Sequence, residues 1–373
     1  MKLQDLTVLI KPASSLCDLR CAYCFYRDEA EHREVYSNAL MTRETASVLI
    51  TRALAHARRS CTFLFQGGEP TLSGIDFFRF FVAEVQRQNV DRAEIYYALQ
   101  TNGQSIDRVW AEFFRDNHFL IGVSLDGTAE MHDSLRGEGT HKRVMRSIAL
   151  LKSCGVEFNI LTVVTAKNVR NAEAMYNFFK RQGLYYQQYI PCIDSIDGNS
   201  FLNAEDYGRF LIRLFRIWER DALTVQPVSI RFFDELMYML LGNCPGSCGM
   251  SGVCSMQYII ESSGDVYPCD FYCTDNYLLG NILDDDFDVI DTRRASSDFL
   301  EASAFIVPEC RVCPYFTLCR GGCRRDRDLM NGEGLSRNRL CEGYKLFFSE
   351  CIPALQSLAC RIAMRQTLPQ HLT

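Results

Sequence analysis

The chain has 373 residues, 47% of them hydrophobic, and its 40 Lys and Arg against 46 Asp and Glu give a formal net charge of -6. That composition excludes a disordered or collagen-like chain, allows one large core or two ordinary ones, and disfavours a nucleic-acid partner, which would show a broad basic face. No run of about 18 apolar residues appears and the start MKLQDLTVLIKP lacks a signal's apolar core, so neither export nor membrane insertion is expected and the 18 cysteines should meet a reducing cytosol.

In chain order, six short segments read as strands because they are rich in β-branched and aromatic residues and end at Gly, Pro or Asn. They are LTVLIKP, CTFLFQGGEP, EIYYALQTNG, FLIGVSLDG, VEFNILTVVT and YYQQYIPCI. Between them GIDFFRFFVAEVQRQ, HKRVMRSIALLKSCG and NAEAMYNFFKRQG have helical periodicity, the last two stopping at glycine. Strands alternating with helices predict a parallel α/β architecture, and about 230 residues suit an open or partial barrel better than a full eight-unit one. The polar tails after the first four strands, Cys17 to Cys24, QGGEPT, QTNG and SLDG, then gather at one end, where such folds place their chemistry.

The cysteines divide the chain. Three fall in the first 24 residues, three more (Cys61, Cys154, Cys192) before residue 240, and twelve from Cys244 onward. This shift marks a second domain, giving boundaries at 1–233 and 234–373. The first group sits in CDLRCAYC, residues 17 to 24, after the breaker-rich KPASS. Spacings of four and three could place thiols on a buried helical face, but the charged Asp18 and Arg20 between them speak for a loop of ligands. Three thiolates can hold three irons of a 4Fe-4S cube and leave the fourth iron open, the mark of a working metal site.

CDLRCAYC resembles the CxxxCxxC signature of radical S-adenosylmethionine (SAM) enzymes, with an aromatic residue, Tyr23, before the last cysteine. The resemblance implies that Cys17, Cys21 and Cys24 carry a cluster whose open iron binds the SAM amino and carboxylate groups. FQGGEPT, residues 65 to 71, is similar to the family's GGEP motif, whose carbonyls and glutamate meet the SAM amino group; this implicates Gly68 and Glu69. By the same resemblance Ser124, Arg136 and Ile193 help hold the ribose, carboxylate and adenine, although an ordinary surface role for Arg136 stays open.

The C-terminal cysteines look like the SPASM extension of radical SAM enzymes that modify peptides and proteins. The resemblance assigns Cys248, Cys254, Cys269 and Cys323 to a first auxiliary cluster and Cys310, Cys313, Cys319 and Cys341 to a second, with zinc as the rival metal for such cysteine pairs. The implied fold is a partial (β/α)6 radical SAM barrel followed by a cysteine-rich SPASM domain. Arg320, Arg324, Arg325 and Arg327 either raise a cluster's potential or form a solvated surface. Cys61, Cys154, Cys192, Cys244, Cys273, Cys351 and Cys360 match no ligand spacing, and Cys192 and Cys273 are the ones expected near the active site.

Across nearly the whole chain the resemblance tightens to anaerobic sulfatase-maturating enzymes, through LIKPASS, CFY, FQGGEPT, LQTNG, VSIRFFD, VYPCDFY and CRGGCRR. In that family the aspartate of PCD, here Asp270, is the general base, and a turn cap or an arginine partner is its plain alternative. Tyr26 and Gln66 are expected to line the pocket of the target residue. The implied reaction is oxidation of a Cys or Ser in an unfolded sulfatase peptide to Cα-formylglycine, using SAM, three 4Fe-4S clusters and an electron donor such as flavodoxin or ferredoxin. A SPASM enzyme making thioether crosslinks or epimerising peptides is the alternative within the class, and an electron-transfer or iron-sulfur scaffold protein the one outside it.

Overall fold

The computed structural model describes residues 3–224, 226–330 and 334–367. Ten strands are present among them: β1 (Leu3–Lys11), β2 (Ala57–Phe65), β3 (Glu94–Thr101), β4 (Phe119–Ser124), β5 (Phe158–Val164), β6 (Tyr186–Pro191), β7 (Ser229–Ile230), β8 (Tyr258–Glu261), β9 (Asp265–Tyr267) and β10 (Gly280–Asn281). The first six are the strands read from the sequence. The three helices also form where expected, at Ile75–Gln88, Thr140–Cys154 and Ala172–Arg181. Thr140–Cys154 ends at Gly155, whose φ of 71° is the left-handed conformation that closes a helix.

The chain folds as two compact units, which are not the halves marked by the cysteines. One comprises residues 1–125, 132–160 and 256–300; the other comprises 126–131, 161–255 and 301–373. In the first unit the strands run in the order β10-β9-β8-β1-β2-β3-β4. β1 pairs in parallel with β2 and with β8, β2 with β3, and β3 with β4, whereas β8, β9 and β10 form an antiparallel meander. Its core is aromatic because Ile75–Gln88 presents Phe78 and Phe81 to β2. Phe65 meets Phe78 and Phe81 edge-on with ring centres 4.9 and 5.0 Å apart.

The second unit holds β6 and β7 in parallel and is built round two long helices, Ala204–Asp221 and Cys341–Thr367. Asn203 caps the former by accepting from Glu205 N. The helices cross where Gly343 meets Gly208: a Cβ on Gly343 would lie 2.0 Å from the Ala204 carbonyl oxygen, so only glycine allows the approach. Cys341–Ala363 is long and apolar enough to cross a membrane by length and composition. Its apolar residues Phe347, Phe348, Cys351, Leu355 and Leu358 are nevertheless buried in protein.

Candidate active site

Cys17, Cys21 and Cys24 lie in an irregular loop between β1 and the helix Phe25–Glu31, not along a helical face. The loop is tied to the turn after β2. Gly68 N donates to Ser14 O at 2.8 Å and Glu69 N to Leu16 O at 2.8 Å. Gly68 has no room for a side chain, since a Cβ there would stand 2.0 Å from Leu16 O. Glu69 points inward. Its carboxylate accepts from Thr71 N at 3.1 Å, Thr71 Oγ1 at 2.6 Å, Thr101 Oγ1 at 2.9 Å and Asn102 N at 2.8 Å. Burial raises its pKa against the opposing pull of those hydrogen bonds.

Asn102 extends the knot by donating from Nδ2 to Asp18 Oδ1 at 2.7 Å, with Cys17 Sγ 3.7 Å away. Thus the tails of β2 and β3 both fasten the cysteine loop. Arg136 is buried, with its guanidinium carbon 5.4 Å from the centre of the Tyr23 ring and Nη1 3.8 Å from Cys21 Sγ, so it has no ordinary surface role. Ser124 ends β4, half-buried. Ile193, in the second unit, is half-buried just after β6.

Asp270 follows β9, and the first unit buries it among charges. Its Oδ2 accepts from Tyr26 Oη at 2.7 Å and from Gln66 Nε2 at 3.0 Å, and Gln66 also donates to Tyr26. Burial and the neighbouring carboxylate hold the Tyr26 phenol well above its usual pKa, so it stays a donor. Oδ1 lies 3.1 Å from Lys11 Nζ. The partner of Asp270 is therefore a lysine and not the arginine of the plain alternative. Lys11 also stands 3.6 Å from both Glu29 and Glu261 and 3.0 Å from Cys273 Sγ, while Arg33 reaches Glu261 at 2.9 Å. Of the unassigned thiols, Cys273 does adjoin this site.

The second unit holds the C-terminal cysteines other than Cys269 and Cys273, which belong to the first unit. Cys310, Cys313, Cys319 and Cys341 line one pocket with Tyr315, Phe316, Tyr344 and Phe348. Four thiols in an apolar-walled pocket fit a four-thiolate cluster, whose irons sit out of water. Among the described residues no three His, Cys, Asp or Glu side chains converge on a single ion. A cube spreads its thiolates over different irons, so wider spacing suits it. Cys323 neighbours Cys248 and Cys254, and burial pushes its thiol up to about 12. The basic stretch is partly structural: buried Arg327 donates to the carbonyls of Phe305 and Ser303, each at 2.7 Å, and buried Arg325 to that of Asp194 at 2.7 Å.

Sequence reasoning missed Lys11, Glu29, Arg33 and Glu261 beside Asp270. The available signal was a charge ending an otherwise apolar strand, in TVLIK and again in YIIE, where a residue on a buried strand must find a counter-charge.

The paired features, an open three-cysteine loop clasped by a glycine turn and a cysteine-rich second set, define a class. The model of the Radical SAM superfamily matches residues 12–179, and that of the SPASM iron-sulfur cluster-binding domain matches residues 248–314. The chain is 43% identical over 373 residues to the cysteine-type anaerobic sulfatase-maturating enzyme of Clostridium novyi (strain NT), covering 98% of this chain and 100% of that one. Native anSMEcpe with bound AdoMet superposes with a TM-score of 0.90 at 41% identity, covering 96% of this chain and 100% of that one. The same enzyme with AdoMet and the Cp18Cys peptide also gives 0.90 at 41% identity, covering 96% and 99%. The chain belongs to the anaerobic sulfatase-maturating enzymes of the radical SAM superfamily.

Proposed function

We propose that this enzyme oxidises a cysteine in an unfolded sulfatase peptide to Cα-formylglycine. The observation that carries the reading is the buried Asp270 carboxylate with Oδ2 held by Tyr26 and Gln66, on a chain this similar to a cysteine-type maturase. Cys17, Cys21 and Cys24 would hold the SAM-binding cluster, and the eight cysteines Cys248, Cys254, Cys269, Cys310, Cys313, Cys319, Cys323 and Cys341 the two auxiliary ones. Tyr23, Gly68, Glu69, Ser124, Arg136 and Ile193 are assigned to SAM. Glu69, its oxygens engaged within the protein, serves by fixing the turn whose main chain meets the ligand. When bound, these groups supply hydrogen-atom abstraction from the target β-carbon and a sink for the second electron.

The chain's own part is proton handling and orientation. Asp270 Oδ2 takes the thiol proton of the target cysteine, and Tyr26 and Gln66 aim that oxygen. Loss of the β-hydrogen, the thiol proton and one further electron leaves a thioaldehyde on the peptide, which water converts to the aldehyde with release of hydrogen sulfide. We assign residues 1–233 to the radical step and 234–373 to electron removal, with a cytosolic flavodoxin or ferredoxin as reductant.

The test is anaerobic incubation of the reconstituted enzyme with SAM, dithionite and a synthetic peptide carrying Cys or Ser, followed by mass spectrometry. The expected product from the Cys peptide carries an aldehyde oxygen in place of the sulfur and two hydrogens. A product lighter by two hydrogens only, or 5'-deoxyadenosine without any aldehyde, overturns the reading.

A further inference from the structure

The charges gathered behind Asp270 exceed what one ion pair or a turn needs. Lys11 is 1% exposed, as is Glu261, and Glu29 is 3% exposed. Lys11 and Glu261 face each other in register at the ends of β1 and β8, so both are set on sheet, whereas Asp270 sits in the irregular segment beyond β9. A carboxylate on a loop needs a rigid partner to fix its direction.

We propose that Lys11 is a positioning residue for the oxidation, its ammonium tying down Oδ1 of Asp270 so that Oδ2, held by Tyr26 and Gln66, is the oxygen presented to the substrate thiol. The inference rests on the reading of Asp270 as the base. Three features favour it over a purely structural role for the lysine. Asp270 is the nearest carboxylate to the ammonium, an ion pair at 3.1 Å against 3.6 Å for Glu29 and Glu261, while the ammonium's hydrogen bond goes to Cys273 Sγ at 3.0 Å. Glu261 already has Arg33 at 2.9 Å, so it does not depend on Lys11 alone. Glu29 lies farther off, and burial pushes it up to about 8, which disfavours its charged form. Burial alone would strip the Lys11 ammonium of its proton, yet Cys273 and the surrounding carboxyl groups hold its pKa well above the usual lysine value. The ammonium also lies 4.8 Å from the centre of the Tyr26 ring, so it braces the second member of the triad.

The experiment compares Lys11→Met, which keeps length without charge, with the double variant Lys11→Met/Glu261→Gln, which removes a cation and an anion together and so spares the fold an unpaired buried charge. Each is read as aldehyde formed per SAM cleaved, with kcat and KM for a cysteine peptide and iron content beside it. Both variants are expected to lose at least about tenfold in aldehyde per SAM and in kcat, with peptide KM within about twofold and iron retained, since misdirecting a general base forfeits part of its ~100-fold or greater contribution. Return of the double variant to wild-type coupling overturns the proposal, because Lys11 would then serve only to neutralise Glu261; a KM effect with unchanged kcat overturns it too. Asp270→Asn separates the two layers. If that variant still makes aldehyde at the wild-type rate, the base reading fails and takes this inference with it. If it is inactive while the double variant is active, the inference alone fails.

Discussion

Gly68→Ala tests whether the glycine turn builds the cluster loop. The new Cβ would begin 2.0 Å from the Leu16 carbonyl oxygen, 2.6 Å from Leu16 C and 2.8 Å from Ser15 C, all main-chain atoms that cannot swing aside as a side chain can. Relief therefore requires the main chain just before Cys17, where the Leu16 side chain is exposed but its carbonyl is held against the turn, to move by about an ångström or more. That shift breaks Gly68 N to Ser14 O and Glu69 N to Leu16 O, both 2.8 Å. Two such hydrogen bonds contribute about 1 kcal/mol each and overpacking costs about 1–3 kcal/mol, so the local penalty is about 3–5 kcal/mol. None of the three atoms that the new Cβ meets belongs to a core side chain. The expected variant therefore folds, keeps both auxiliary clusters, and loses most of the third together with SAM binding. Iron analysis, electron paramagnetic resonance with and without SAM, and equilibrium dialysis of SAM measure these directly. A Gly68→Ala protein with full iron and wild-type SAM affinity would refute the argument.

Asp270→Asn is expected to keep cleaving SAM while losing about 100-fold or more in aldehyde formation, as removal of a positioned base does, read by chromatography of 5'-deoxyadenosine against peptide mass. Glu29 titrates in the folded protein at about 8 against an ordinary 4.5, because burial disfavours its charge. Between those values the folded chain holds a proton that the unfolded chain has released, so stability falls as pH rises across the window, and Glu29→Gln should flatten that fall in urea titrations at pH 5.5 and 7.5. Gly343→Ala drives a Cβ to 2.0 Å from Ala204 O and should destabilise the second unit by about 1–3 kcal/mol, seen as a lower melting temperature with loss of the cluster that includes nearby Cys341.

The motifs were legible because their chemistry is local. Cys17, Cys21 and Cys24 share one loop, the glycine turn follows its strand directly, and the six alternating strands declare themselves by period and punctuation. Cys310, Cys313, Cys319 and Cys341, which the resemblance puts on one cluster, line one pocket. Harder to read were residues whose meaning depends on distant partners. Arg325 and Arg327 look like a basic surface in CRGGCRRDRD, yet burial turns them into clamps on carbonyls of other segments. Arg136, polar at a helix end, could not be distinguished from a surface side chain until it lay over Tyr23.

By itself the sequence pointed to the class of chemistry, because ligand type and spacing are properties of a few consecutive residues and carry the family resemblance. It also determined the alternation of strand and helix, since periodicity acts over one turn or one pleat. Only the tertiary structure decided the surroundings of Asp270, when β8 docked in parallel beside β1 and brought Lys11 opposite Glu261 from far along the chain. The physical reason is that a charge on a strand end reads as solvated until the fold removes the water, and its energy then depends on which opposite charge the pairing has delivered.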